Sequence, residues 1–474
     1  MNVCVLQPDY STTAVDYKDY DPPRQLAHLL PGHRVDHVFL NKLTVYKQLR
    51  ELSKFPYDIY VNLCEGYLDW EVPSIDVIWY MDLLNLPYTG PSAAVYDPTK
   101  ELMKYVAYTV GVSTPAYALI HQLDEIPGAC AHLSYPLFVK PSKAGDSLGI
   151  DDHSVVSNES ELIYQVSQIL EEYGPILVEE YIQGREFTVM LVANADDHKK
   201  CTVFKPIEYI FPAGKSYKTY ALKTSELHPD ANIPVTDSGL ESRLKEAAAS
   251  IFTGFGGVGY ARLDFRMNAD GELFFLEINF TCSVFYTAGY EGSADYILAC
   301  DGTGQAGFLE KIIAEGMARY RRKQKPYEMK GNAIAGYGIY ARRMIQPGEI
   351  IFRGEEKAQR LVTRRYVEEH WTGNDLINFQ RYAYPVSRDV FLLWDELPSE
   401  WAPQNHSCEP NTAYDGLNVI AIKPIASGEE LTLDYASFLD EHMQPFECRC
   451  GAKSCRGYIQ GTAGLTMGSH TVNV

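Results

Sequence analysis

The chain has 474 residues, 46% of them apolar, which excludes global disorder and leaves room for two to four domains. A net charge of −20 would repel a phosphate backbone unless a local basic face existed, so no direct nucleic-acid partner is expected and a basic peptide or a small molecule fits better. No apolar run approaches the roughly 18 residues of a membrane span, and MNVCVLQPDY lacks the charged and apolar regions of a signal peptide. The expectation is a soluble, cytoplasmic protein without a membrane partner.

In chain order, NVCVLQ and DIYVNL (58–63) are short apolar runs, while SIDVIWYMDLLNL and 97–110 carry helical spacing. Strand-like runs follow at PLFVK, PILVEE, EFTVMLVA, YARLDFRM and LFFLEINF, with helical patterns at 159–172 and 240–254 between them. This alternation predicts an α/β protein.

Two of these stretches carry chemistry. In FVKPSKAGDSLGI (138–150) a strand ends at Lys140, and a loop with Gly145, Ser147 and Gly149 follows. A lysine with open backbone N–H groups suits a polyphosphate, although Gly and Ser also mark ordinary loops. In ARLDFRMNADGELFFLEIN (261–279) a turn at Asn268–Gly271 joins two strands. Glu277 and Asn279 are two apart and share a strand face, and hairpin pairing can bring Asp264 opposite them. Oxygen ligands converging beside a phosphate site are what Mg²⁺ requires. Arg262 shares the face of Asp264 and could stabilise developing charge. A hairpin with solvated polar residues is the plain alternative, but FFLEIN would then embed an unpaired charge.

Over roughly residues 55–315 the chain resembles the ATP-grasp carboxylate–amine ligases, in particular the D-alanine–D-alanine ligase branch. LLNLPYTGPS, the segment Lys100 to Tyr117, FVKPSKAGDSLGI, ILVEEYIQGREFTV and RLDFRMNADGELFFLEIN follow in that family's order. The resemblance implies that Lys100 and Lys140 contact the ATP phosphates under the 145–149 loop. It implies a hinge beside adenine at Glu179, Glu180, Tyr181 and Ile182, with Glu186 on the ribose. Lys215 would reach the terminal phosphate. Asp264, Glu277 and Asn279 would hold two Mg²⁺ ions, and Arg262 would stabilise a tetrahedral intermediate. The implied reaction activates a carboxylate as an acyl phosphate, which an amine then converts to an amide. The substrate half departs from the D-alanine pattern. NFTCSVFYTAG replaces the Pro-Gly loop after the metal-binding Asn, and the ammonium-binding Gly-rich motif is not visible in QPDYSTTAVDY. The implied substrates are amino acids or peptides of another specificity, and the family often forms homodimers.

The segment 306–331 begins as an amphipathic helix and ends in Arg319, Arg321, Arg322, Lys323 and Lys325 before Pro326 stops it. These cations could bind an anion, but they read as solvated charges favourable at a helix C-terminus. A domain boundary is expected here.

Beyond it, AIAGYGIYARRMIQPGEIIF, NHSCEPNTAY and GLNVIAIKPIASGEELTLDYAS are short strands separated by turns, a β-rich texture. Of the ten cysteines, Cys4, Cys64, Cys130, Cys201, Cys282 and Cys300 are scattered and are expected to be small buried hydrophobes. Cys448, Cys450 and Cys455 cluster in FECRCGAKSCRG, where an intracellular chain points to metal rather than disulfide. The order G-x-G, NHSCxPN, GEELTxDY, CxC-x4-C resembles a SET-domain methyltransferase with a post-SET zinc module, over roughly 329–460 with a poorly matching insert at about 354–400.

That resemblance implies that Cys408 joins Cys448, Cys450 and Cys455 around one structural Zn²⁺. It implies S-adenosylmethionine as methyl donor, in a pocket lined by Gly336, Tyr337, Gly338, Asn405 and His406, with Tyr435 as the catalytic tyrosine. Ala402 and Pro403 stand where histone-type members carry Arg-Phe, a departure at the acceptor site.

The expected architecture is multidomain: an α/β ATP-grasp fold, then a β-rich SET domain with a small C-terminal zinc module. The segments are an N-terminal ligase domain (1–95), the ATP-grasp domain (96–320), a linker (321–330), the SET domain (331–445), and the zinc module with tail (446–474). The expected function is bifunctional: ATP- and Mg²⁺-dependent ligation of amino acids or peptides, joined to N-methylation of a lysine-like amine that the same small molecule could carry. The alternative is a protein lysine methyltransferase, nuclear if its target is, whose ATP-grasp part serves as a sensor or targeting module.

Overall fold

The computed structural model describes residues 1–13, 21–68, 71–143, 148–197, 199–212, 214, 216–217, 231–394, 404–440 and 444–461. They form two compact units, Met1–Arg322 and Lys323–Val474.

The first unit opens with the strand Asn2–Pro8, buried from Val3 onward. It is the centre of a three-stranded parallel sheet, between Arg34–Leu40 and Ile59–Asn62. A strand covered on both faces has no polar alternation, which is why NVCVLQ reads as one apolar run. The helices Val45–Leu52 and Ile75–Leu83 contribute Val45, Leu49, Val77, Ile78 and Met81 to one core with Cys4, Leu6 and Tyr60.

A four-stranded antiparallel sheet follows, in the order Tyr117–Ile120, Ile176–Glu180, Leu137–Pro141, Val155–Val156. The helix Glu159–Tyr173 contributes Leu162, Val166 and Ile169 to its core, positions three to four apart on one helix face. The Asn158 side chain caps the helix start, and Gly174, at φ +73°, ends it.

The third sheet has six strands. Asn232–Pro234, Ile207–Tyr209, Arg185–Ala193, Tyr260–Met267 and Leu273–Asn279 lie in that order, and Cys201–Val203 also pairs with Arg185–Ala193. Phe187, Val189, Leu191, Leu263 and Phe265 pack with Leu244, Ala248, Ile251 and Phe252 of the helix Ser238–Gly254. The alternate positions face the other way, which puts Glu186, Arg262, Asp264, Glu277 and Asn279 on one polar face.

Two expectations need correction. Arg319, on the helix Gly304–Lys323, is not a solvated cation. It is buried, donates to Gly90 O at 2.8 Å and Tyr88 O at 2.7 Å, and lies 4.8 Å from the Tyr88 ring centroid. Its position one turn after Glu315 turns it inward, off the solvent face that its neighbours share. Of the scattered cysteines, only Cys4, Cys64 and Cys282 are buried; Cys130 and Cys201 are half-buried, and Cys300 is exposed on the outer side of the helix Ser293–Asp301.

The second unit is built from short strands. Tyr327–Asn332 pairs with Gly336–Ala341, and Ile350–Phe352, Asn418–Ala421 and Thr412–Asp415 form a three-stranded sheet. The stretch at 354–400 has its own sheet, Gln359–Thr363, Val390–Trp394 and Tyr384–Pro385, and a core in which Val367 and Phe379 meet Phe391 and Leu393. Asn405–His406 lies parallel to Thr432–Leu433, and Phe446–Glu447 pairs with Tyr458–Ile459.

Candidate active sites

In the first unit the Tyr260–Met267 and Leu273–Asn279 strands set the register. Asp264 is directly opposite Glu277, and Arg262 is opposite Asn279. A bulge after Asp264 ends this register, and the pair stays at the polar end of the hairpin. Arg262 Nη2 lies 3.6 Å from Asp264 Oδ2. Asp264 Oδ1 and Asn279 Nδ2 are buried without hydrogen-bond partners. Lys100, at the start of the helix Lys100–Thr109, brings Nζ to 3.9 Å from Glu277 Oε2. Lys100, Ser142, Lys143, Glu277 and Asn279 line one cleft.

The strand ends of the four-stranded sheet supply a second group. Glu179 is fully enclosed, and its carboxylate bridges Lys140 and Lys104, the latter at 2.8 Å. Burial pushes the Glu179 carboxyl up, but Lys104 and Lys140 outweigh it and hold it at about 2. Lys100 and Lys104 are drawn below the usual lysine range by burial, against the pull of Glu277 and Glu179. Glu180 accepts from the Ser134 amide at 2.8 Å. Tyr181 stacks near Phe138, 6.1 Å between centroids, and its hydroxyl donates to Ser216 O at 2.9 Å. Ile182 follows, half-buried, at the end of the strand. Glu186 is buried opposite Tyr209 and Arg266. Gly149 has φ +71°, and a Cβ there would come within 2.7 Å of Pro141 Cγ. Gly145, Ser147 and Lys215 lie outside the described residues.

In the second unit, Glu430 gathers three segments. It accepts from Asn332 Nδ2 at 2.9 Å and Asn405 Nδ2 at 2.7 Å. Asn405 Nδ2 also donates to Tyr337 O at 2.8 Å. A Cβ on Gly338 would lie 2.3 Å from Glu430 Oε1, so a side chain there would push the Glu430 carboxylate out of its bonds to Asn332 and Asn405. Gly336 has φ +84°, the turn position where glycine is also required. Tyr435 donates from its hydroxyl to Gln404 O at 2.6 Å, and burial pushes its phenol well above the usual range. Its ring belongs to an aromatic group with Phe438, Tyr414, Tyr384 and Trp394.

The C-terminal thiols converge. Cys408 Sγ lies 3.8 Å from Cys448 Sγ, and Cys450 Sγ accepts from the Cys408 amide at 3.5 Å. The ligand atoms of His406, Cys408, Cys448 and Cys450 all lie within 4.8 Å of one another. Cys455 interacts with the thiols of Cys448 and Cys450, and its Sγ is 3.8 Å from Cys448 O.

A family model for the D-ala D-ala ligase C-terminus matches residues 107–287, and a SET domain model matches residues 336–436. A D-alanine–D-alanine ligase of Bacillus velezensis is 30% identical over 262 residues, 52% of this chain and 68% of that protein. The chain belongs to the D-alanine–D-alanine ligase family. Residues 336–436 are a SET domain. The ligase of Pseudomonas fluorescens is 30% identical over 202 residues, 42% of this chain and 59% of its own length, so the chain spans about three fifths of that relative. The crystal structure of the Bacillus anthracis ligase complexed with ATP superposes with a TM-score of 0.51 at 17% identity, covering 68% of this chain and 99% of that one. The Coxiella burnetii ligase superposes at 0.50 and 16% identity, covering 69% and 96%. These likenesses show the fold: an α/β ATP-grasp ligase architecture followed by a SET domain.

The residues present fit the groups that the two families imply. An orphaned buried Asp264 oxygen beside Glu277 and the Asn279 amide, which can turn its oxygen inward, is an oxygen set suited to Mg²⁺. The cleft carries Lys100 and Lys143, cations suited to phosphates. A tetrahedron with metal–sulfur bonds of about 2.3 Å has sulfur–sulfur edges of about 3.8 Å, which is the Cys408–Cys448 separation. Lys104, Arg24 and Glu430 also belong to these two sites, and their sequence contexts differ in how much they signal. Lys104 was legible as the i+4 neighbour of Lys100 on one helix face. Arg24 was not. It is buried against Glu65 at 3.4 Å and Asp21 at 3.1 Å, and Glu65 accepts from Ser283 Oγ at 2.6 Å, a group assembled from three distant segments. Glu430 sits in GEEL, where alternation alone marks it only as a surface acid.

Proposed function

We propose that the chain is a bifunctional enzyme, an ATP- and Mg²⁺-dependent carboxylate–amine ligase joined to an S-adenosylmethionine-dependent N-methyltransferase. The observation that carries the ligase half is the facing of Asp264 with Glu277 and of Arg262 with Asn279 on one polar sheet face, beside the buried Lys100. Mg²⁺ neutralises phosphate charge when bound. The chain's own residues do the rest by placement. Lys100 and Lys140 take the ATP phosphates, the strand end Glu179–Ile182 borders the base, and Glu186 holds the ribose. Lys215 is assigned to the terminal phosphate. Arg262 faces the carbon at which an acyl phosphate would be attacked by the amine, where negative charge develops.

Acceptor recognition departs from the D-alanine pattern. Where that family's ammonium motif is missing, Asp21 and Glu65 supply carboxylates around Arg24, and Tyr286 donates to Asp21 at 2.7 Å. The substrates are accordingly read as amino acids or peptides of a specificity other than D-alanine.

In the SET half, Gly336, Tyr337, Gly338, Asn405 and His406 border the donor pocket, and Tyr435 orients the attacking amine. That amine must be neutral, and a buried pocket of aromatic rings disfavours its charged form. The two halves act on one small molecule, ligation giving an amide and methylation modifying an amine of it. Cys408, Cys448, Cys450 and Cys455 would hold a structural Zn²⁺ linking the 446–459 segment to the NHSC segment.

The test is untargeted mass spectrometry of the full-length protein with Mg-ATP, S-adenosylmethionine and pooled amino acids, with phosphate release followed in parallel. A new amide mass that gains methyl units only with the donor is the expected result. Phosphate release without methylation refutes the coupling. Absence of both, with methylation on peptide arrays, moves the assignment to a protein lysine methyltransferase.

A further inference from the structure

Distance alone admits His406 as a metal ligand. Its Nε2 lies 3.4 Å from Cys408 Sγ, close to the edge of a tetrahedron with a nitrogen about 2.0 Å and a sulfur about 2.3 Å from the metal. The other ring nitrogen decides the matter. Nδ1 lies 3.2 Å from the backbone N–H of Tyr435. An amide N–H only donates, so Nδ1 is the acceptor and carries no proton. The acid nearest Nδ1 is Asp434, whose Oδ1 is 3.7 Å away. That oxygen already accepts from Arg456 Nη2 at 2.5 Å and from the Ala436 amide at 3.1 Å. A neutral ring with a bare Nδ1 carries its proton on Nε2, and that N–H faces Cys408 Sγ. A metal-bound Nε2 would need a lone pair there and would leave Nδ1–H against the Tyr435 N–H.

We propose that His406 is a positioning residue and not a metal ligand: its imidazole accepts from the Tyr435 amide and donates to the Cys408 thiolate, so that the filled thiolate site holds Tyr435 in place. The inference rests on the four-thiolate reading above, and it leaves Cys455 as the fourth ligand. The imidazole is only 4% exposed and packs edge-on against the rings of Tyr435 and Phe446, at 5.5 and 5.6 Å. Tyr435 is thus gripped at both ends by the residues flanking Asn405. His406 takes its amide, and Gln404 O takes its hydroxyl. The side chain of His406 is committed to this bridge, and only its backbone remains for the methyl donor.

The full-length, reduced protein is labelled with ¹⁵N-histidine and loaded with ¹¹³Cd²⁺. The expected spectrum shows His406 as the Nε2–H tautomer with no ¹¹³Cd coupling, and one cadmium signal of four-thiolate type. A ¹¹³Cd–¹⁵N coupling on His406 overturns the proposal, whereas failure to bind cadmium at all refutes the zinc module instead. Hydrogen exchange of the 433–438 segment tests the bridge. His406→Ala with its metal retained is expected to exchange at the Tyr435 amide at least tenfold faster than wild type, and stripping the metal from wild type to do the same. Unchanged protection in either experiment overturns the link, and the wild-type arm does not depend on the variant folding.

Discussion

Glu179 shows how a single carboxylate holds a site together. Two buried lysines share it, so Glu179→Gln leaves both cations without their counter-charge. The expected loss is about 3–5 kcal/mol, the usual consequence of breaking a buried ion pair from one side, read by urea unfolding. Its pH dependence follows from direction. The folded carboxyl is held at about 2 against an ordinary 4.5, so its stabilisation is complete above pH 4.5 and is lost as pH falls through that interval. An acid-unfolding curve of Glu179→Gln should therefore be flatter than wild type between those values. Tyr435→Phe is the matching test in the SET half. It removes the hydroxyl that Gln404 O accepts from, and should abolish most methyl transfer while phosphate release stays at the wild-type rate. Equal methylation by the two proteins would reject the role given to Tyr435.

At the scale of elements, both sites depend on backbones that approach closely. The Glu430 carboxylate reaches Asn332 and Asn405 across the strand Gly336–Ala341 through space that a Cβ at position 338 would take. Gly338→Ala should weaken S-adenosylmethionine binding at least tenfold by calorimetry, with Mg-ATP binding unaffected. The Tyr260–Met267 and Leu273–Asn279 hairpin does the corresponding work in the ligase half, because antiparallel register puts Asp264 and Glu277 face to face. Asp264→Asn keeps the shape but removes a charge, and should raise the Mg²⁺ concentration needed for half-maximal phosphate release by tenfold or more. The hairpin was legible from its Asn-Ala-Asp-Gly turn and alternation. The strand Arg34–Leu40 was not, since an edge strand with mostly half-exposed residues has no continuous apolar run.

At the scale of the molecule, each compact unit has its own cores, so each ligand should stabilise its own unit. Scanning calorimetry should resolve two transitions, one raised by Mg-ATP and the other by S-adenosylmethionine. At a hundredfold excess over its dissociation constant a ligand adds about 2.7 kcal/mol to the unit that binds it. A zinc chelator should lower only the donor-sensitive transition. One transition raised by both ligands would mean that the units unfold together. Among the described residues no helix is long and apolar enough to cross a membrane.

The order of motifs in the sequence was enough to determine the two families, and local periodicity placed the strands and helices that carry them. Chemistry whose residues are neighbours in sequence, such as Glu277 with Asn279 or Cys448 with Cys450, was readable because strand alternation and short spacing fix which side chains can meet. Tertiary structure alone decided the rest. Arg319 turned inward, Arg24 found acids 3 and 41 positions away, and His406 was committed between Tyr435 and Cys408. Those choices depend on which buried donors and acceptors remain unsatisfied once the cores have closed, and a linear pattern carries no record of that.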